Sequence, residues 1–213
     1  MSMEFDLDAP GLSKQERNEF RYQTRSLTNL FERSFDSPLK LKKAWKVLIE
    51  VVPAIKHNRH RNLLGALTLE VEGQPGLLLA DATDDEKCNL ALKWLMMGTD
   101  KLADELGLDS AQFESAAQKV RSLSFVNIRT WKKSIDSPDR KKKAEIIVDH
   151  RVHEARLVCR IFENGVLYAE HLLSSELPDE FIYEPLLGEF RWIDNNTVEL
   201  LSKDGVRSWK IQT

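Results

Sequence analysis

Hydrophobic positions recur along this chain with two different periods, and the change falls near residue 123. Before it, apolar residues return at helical spacing between capping residues; after it, short alternating runs are separated by turn dipeptides. Ser13-Lys14-Gln15-Glu16 reads as a capping box opening a helix with the stripe Phe20, Leu27, Leu30, Phe31. Ser37-Pro38 predicts a second helix, with apolar positions Leu41, Ala44, Trp45, Leu48 and Val52, ended by Pro53. Leu67, Leu69 and Val71 alternate, and Gly73-Gln74-Pro75-Gly76 then predicts a turn into Leu77-Leu78-Leu79, a short hairpin.

Thr83-Asp84-Asp85-Glu86 is a second capping box. The helix it opens is apolar nearly all round, through Leu90, Ala91, Leu92, Trp94, Leu95, Met96 and Met97, and therefore belongs in a core or under a partner. Trp45 and Leu48 are expected to share that core with Trp94 and Leu95. Gly107 should stop this helix, and Asp109 should cap a last one through Phe113, Ala116, Ala117 and Val120.

Strands are then expected at 124–134, 144–151, 154–162, 166–173, 189–193, 197–201 and 206–211. Asn164-Gly165 and Asp204-Gly205 read as two-residue hairpin turns. Trp192 and Trp209 share parity with Phe190 and Ile211 in a three-strand meander and are expected in its core. The fold class is α+β: a mainly helical region over 1–122 with about four helices and a short hairpin, and an antiparallel region over 123–213. The second region's roughly seven strands would form one curled sheet or a small barrel, and the two could be one continuous domain.

Composition narrows the class. With 42% hydrophobic and 31% charged residues in 213, the chain folds around a sizeable core. Its two cysteines, Cys88 and Cys159, lie in apolar stretches, as buried thiols of a reducing compartment do. No apolar run spans a bilayer and Met1 to Pro10 is acidic without a signal core, so cytoplasmic residence and no membrane partner are expected.

The net charge of −3 hides blocks: residues 1–62, 63–115, 116–161 and 162–213 carry +4, −8, +7 and −6. Either the blocks neutralise one another in the fold, or they polarise a surface for a charged partner. A basic candidate site comprises Arg129, Trp131, Lys132, Lys133, Arg140, Lys141, Lys142 and Lys143, joined by Lys40 and Lys43 of an early lysine cluster. Cations beside an exposed aromatic suit a phosphate backbone and a stacked base. An acidic candidate comprises Glu176, Asp179, Glu180, Phe181 and Tyr183, carboxylates with aromatic anchors for a basic protein.

His57 with His60 and His150 with His153 form two His-x-x-His pairs, which could ligate a divalent metal only if the fold brought them together beside Asp149. Without tighter ligand spacing no metal or cofactor is assigned. Nucleotide-loop, zincin and nucleophile-elbow motifs are missing. The expectation is a non-catalytic cytoplasmic binding protein (inhibitor, immunity-type protein or adaptor) with a protein partner. The alternatives are nucleic-acid binding through the basic segment and a metal-dependent hydrolase or nuclease.

Overall fold

A computed structural model of the chain describes residues 3–41 and 44–213. They form an α+β fold in two compact units, Met1–Asn127 and Ile128–Thr213. Neither unit contains a sheet closed into a barrel.

Among the described residues, the first unit sets four helices with a four-stranded sheet, where the sequence predicts helices and one short hairpin. It runs β1 (Glu4–Asp8), α1 (Lys14–Arg33), β2 (Lys46–Val52), β3 (Arg61–Leu63), β4 (Ala66–Glu72), α2 (Gly76–Leu79), α3 (Asp84–Leu106) and α4 (Ala111–Ser122). The sheet order is β1-β2-β4-β3, with β1, β2 and β4 parallel and β3 antiparallel to β4. The expected second helix is therefore a strand. Its β-branched Val47, Ile49 and Val51 alternate, and all three are buried, while Leu48 lies half-buried on the other face and Trp45 is 47% exposed. Neither joins the Trp94 core. The expected strand at Leu77-Leu78-Leu79 is the short helix α2.

Both capping boxes form as expected, at Ser13 with Glu16 and at Thr83 with Glu86. Gly107 ends α3 in the left-handed region at φ 65°. The residue capping α4 is Ser110; Asp109 helps by accepting the Ala111 amide at 3.0 Å. One face of the sheet packs on the helices: Gly98 of α3 sits so close to Ile49 that a Cβ there would lie 2.4 Å from its side chain. Trp94 is buried with Phe20, ring centroids 5.9 Å apart. The other face is charged. Asp6 pairs with Lys46 and Arg25, Asp8 with Arg17, and Arg61 spans Glu50 at 2.5 Å and Glu70 at 3.6 Å.

The second unit holds two antiparallel sheets rather than one. The first, in order β5-β6-β7-β8, comprises β5 (Asn127–Asp136), β6 (Lys142–His150), β7 (Ala155–Glu163) and β8 (Val166–Glu176). After α5 (Glu180–Tyr183), the meander β9 (Glu189–Trp192), β10 (Thr197–Leu201) and β11 (Ser208–Gln212) makes the second. Inward residues of both share one core, including Ile146, Leu157, Cys159, Tyr183, Val198, Leu200 and Ile211, with Trp131, Trp192 and Trp209 packed at its margin.

Asn164-Gly165 is the expected two-residue turn, with φ of 50° and 80°. Asp204-Gly205 is not: only Gly205 has positive φ (71°), and the loop closes wider, with the Ser202 amide donating to the Arg207 carbonyl at 2.9 Å. Asp204 instead accepts from the Ser202 hydroxyl and the Val206 amide, at 2.5 and 3.0 Å, an arrangement that needs no left-handed aspartate.

Candidate functional site

The β5–β6 connection is built around Ser137. Its buried hydroxyl donates to Asp139 at 2.8 Å and accepts from the Lys142 amide at 3.0 Å, and its carbonyl takes the Arg140 amide at 2.8 Å. Arg140 turns the chain at φ 60°. This tight loop delivers three consecutive lysines to one edge of an open cleft of about 450 Å³. Phe162, Asn164 and Gly165 of the β7–β8 tip line the other edge.

Those lysines are not equivalent. Lys142 reaches into the fold, donating to the Thr213 hydroxyl at 2.8 Å and carbonyl at 3.1 Å, and its ammonium lies 5.9 Å from the Tyr168 ring. Lys141 and Lys143 stay exposed, loosely paired with Asp139 at 3.8 Å and Asp136 at 3.7 Å. Asp136 and Glu145 also line the cleft, so its cations are offset by nearby carboxylates.

Beyond the Asn-Gly turn, Val166, Leu167 and Tyr168 follow one another with exposures of 70, 49 and 59%. Sequence reasoning missed them, although three successive apolar residues break the alternation of a strand with one solvated face.

The rest of the predicted basic segment lies along β5, away from this loop. Arg129 pairs with Glu184 at 3.3 Å. Trp131 is not an exposed aromatic: it packs on the core, and Lys132 lies 4.2 Å above its ring while donating to the Gly188 carbonyl. Lys133 is exposed, as is Lys40 in the first unit; Lys43 lies outside the described residues.

The acidic candidate also divides. Asp179 caps α5 by accepting the Phe181 amide at 2.9 Å, with Glu180 in the first turn. Glu176 accepts from Ser174 and Arg207, at 2.5 and 3.3 Å. Phe181 is 85% exposed, but Tyr183 is fully buried and cannot serve as a docking anchor. Its hydroxyl lies 3.4 Å from Nδ1 of buried His150, whose Nε2 lies 3.2 Å from the Pro178 carbonyl. Burial, helped by the charge of Glu180, pushes the phenol up to about 12.

Each histidine of the first pair has its own carboxylate: His57 Nδ1 lies 2.5 Å from Glu70 and His60 Nδ1 2.6 Å from Glu105. Burial pushes the Glu70 carboxyl up, but hydrogen bonds from the His57 ring and from the His57 and Lys56 amides outweigh it and hold the group at about 2. Glu70 thereby ties down the loop after β2. Among the described residues no group of three or more histidines, cysteines or carboxylates is placed to hold a metal ion.

Several ion pairs join opposite charge blocks within a unit, such as Arg160 with Glu170 at 2.7 Å and Arg61 with Glu70 at 3.6 Å. Block charge is thus partly spent on folding, and the exposed remainder at the β5–β6 loop stands out against it. Compared with family models, with curated proteins and with solved structures, the chain matches none of them.

Proposed function

We propose that this chain is a non-catalytic binding protein whose second unit docks a protein partner carrying an acidic, partly apolar surface. The observation that carries this reading is the exposed row Val166, Leu167 and Tyr168, which follows directly on Asn164 and Gly165 at one edge of the cleft that Arg140, Lys141 and Lys143 also line. Adjacent exposed apolar side chains rimmed by charge suit an interface whose centre desolvates while its rim steers encounter. A nucleic-acid backbone fits less well. Asp136 and Glu145 in the cleft repel phosphates, Lys142 is occupied by Thr213, and aliphatic Val166 and Leu167 offer nothing to a base.

The test is capture by the immobilised full chain from nuclease-treated lysate, against two double variants, Lys141→Glu/Lys143→Glu and Leu167→Asp/Tyr168→Ala. The wild type should retain a nuclease-resistant protein that both variants lose, with only shallow weakening from about 50 to 200 mM salt. Recovery of the same proteins by all three chains, or material lost on nuclease treatment, would overturn the reading.

A further inference from the structure

The β3–β4 connection places its two most apolar residues where neither packing nor backbone preference favours them. Leu63 and Leu64 are 72 and 92% exposed, and Leu64 adopts φ 52°, a left-handed conformation that a leucine rarely takes. Gly65 follows at φ 87°. Asparagine or glycine would make this turn more easily and would expose no apolar surface.

The turn is nonetheless firmly built. The Trp45 indole N–H donates to the Leu64 carbonyl at 3.1 Å, and the Trp45 amide donates to the Gly65 carbonyl at 2.9 Å. The Gly65 amide donates to the Asn62 side chain at 3.0 Å. Trp45, half exposed, therefore backs the turn, and Lys46 lies 5.8 Å from its ring.

We propose that this tip, formed by Leu63, Leu64 and Trp45, inserts shallowly into an anionic lipid surface. Three features favour a bilayer over a protein pocket. The leucines form a convex hairpin end on β3, a strand of only three residues, all exposed, which offers little flanking area for the roughly 800 Å² per partner of a standard protein interface. The Leu64 and Gly65 carbonyls and the Gly65 amide already have partners in the fold, which lowers the cost of entering a medium without water. A tryptophan with its N–H satisfied suits the headgroup level, and Lys40, five residues before it in the chain, is exposed and supplies a cation for an anionic headgroup. No span is required: among the described residues no helix is long and apolar enough to cross a membrane. The inference rests on the first unit alone and is separate from the docking surface above.

Co-sedimentation of the full chain with phosphatidylcholine vesicles, with or without about 30% phosphatidylserine, tests it. The wild type should pellet with the anionic vesicles, less at higher salt, and not with the neutral ones. Leu63→Asp and Leu64→Asn, both at exposed positions and so compatible with folding, should each lower the bound-to-free ratio about tenfold or more. Failure to pellet with anionic vesicles, equal binding to neutral ones, or unchanged binding by Leu64→Asn would overturn the proposal. So would loss of a captured protein by Leu64→Asn when no vesicle binds, which would make the tip a protein anchor.

Discussion

Replacing Leu64 by asparagine should stabilise the first unit. The left-handed region costs an ordinary L-residue about 1–2 kcal/mol, and asparagine is among the side chains that tolerate it best. Little opposes this gain. The Leu64 side chain is 92% exposed, so its removal leaves no cavity. The hydrogen bonds that hold the turn come from Trp45, Asn62 and the backbone, and survive the change. A net stabilisation of about 0.5–1 kcal/mol is expected, which for a unit of this size raises the midpoint by roughly 2–4 °C. Leu64→Val is the matched control, because a β-branched residue suits positive φ less well and should lower the midpoint. Both can be read by calorimetry, following the transition of the first unit. An asparagine variant no more stable than the wild type, or a valine variant more stable, would refute the strained turn and remove the reason for assigning Leu64 a role outside folding.

Two further outcomes follow from the packing and the titration. In Gly188→Ala the new Cβ would lie 2.5 Å from the Ser202 carbonyl carbon and 2.6 Å from the Leu201 oxygen. Both are backbone atoms that cannot swing aside, so a loss of about 2 kcal/mol or more is expected in urea unfolding, and unchanged stability would refute the close approach. Glu70 is held near 2 in the folded chain against an ordinary value of 4.5, so its contribution is present above about pH 4.5 and fades as pH falls towards 2. The stability difference between wild type and Glu70→Gln should therefore shrink across that window; a difference constant from pH 5 to 2 would contradict the Glu70–His57 geometry.

Local chemistry was legible wherever it is decided by neighbours in sequence. The two capping boxes, the Gly107 stop and the Asn164-Gly165 turn each depend on a few adjacent residues, and each forms as read. β2 was not legible, because residues 41–52 fit two periods at once. Leu41, Ala44, Leu48 and Val52 trace a helical stripe, while Val47, Ile49 and Val51 trace a strand, and the parallel neighbours β1 and β4 decide between them. β1 was hidden by Asp6 and Asp8, which resemble a solvated acidic start until Lys46, Arg25 and Arg17 arrive from elsewhere in the fold. In the second unit the strands could be found but not their partners, so two sheets looked like one. At the candidate site, charge was visible in the sequence, but exposure was not. Trp131 and Tyr183 turned inward while Tyr168 and Leu64 turned outward, and only tertiary packing distinguishes them.

The two thiols carry a practical consequence. Cys88 is buried in the first unit and Cys159 in the second, one to each. Burial, with Asp84 and Asp85 near Cys88 and Glu145 near Cys159, pushes both up to about 12, so at neutral pH each remains a protonated thiol. A maleimide or disulfide reagent needs an exposed thiolate and can react only when the surrounding unit opens. The native chain is thus equipped with one chemical clock per unit. Peptide mapping of a labelling time course would time the opening of Cys88 and of Cys159 separately, in a single unmodified sample and without denaturant.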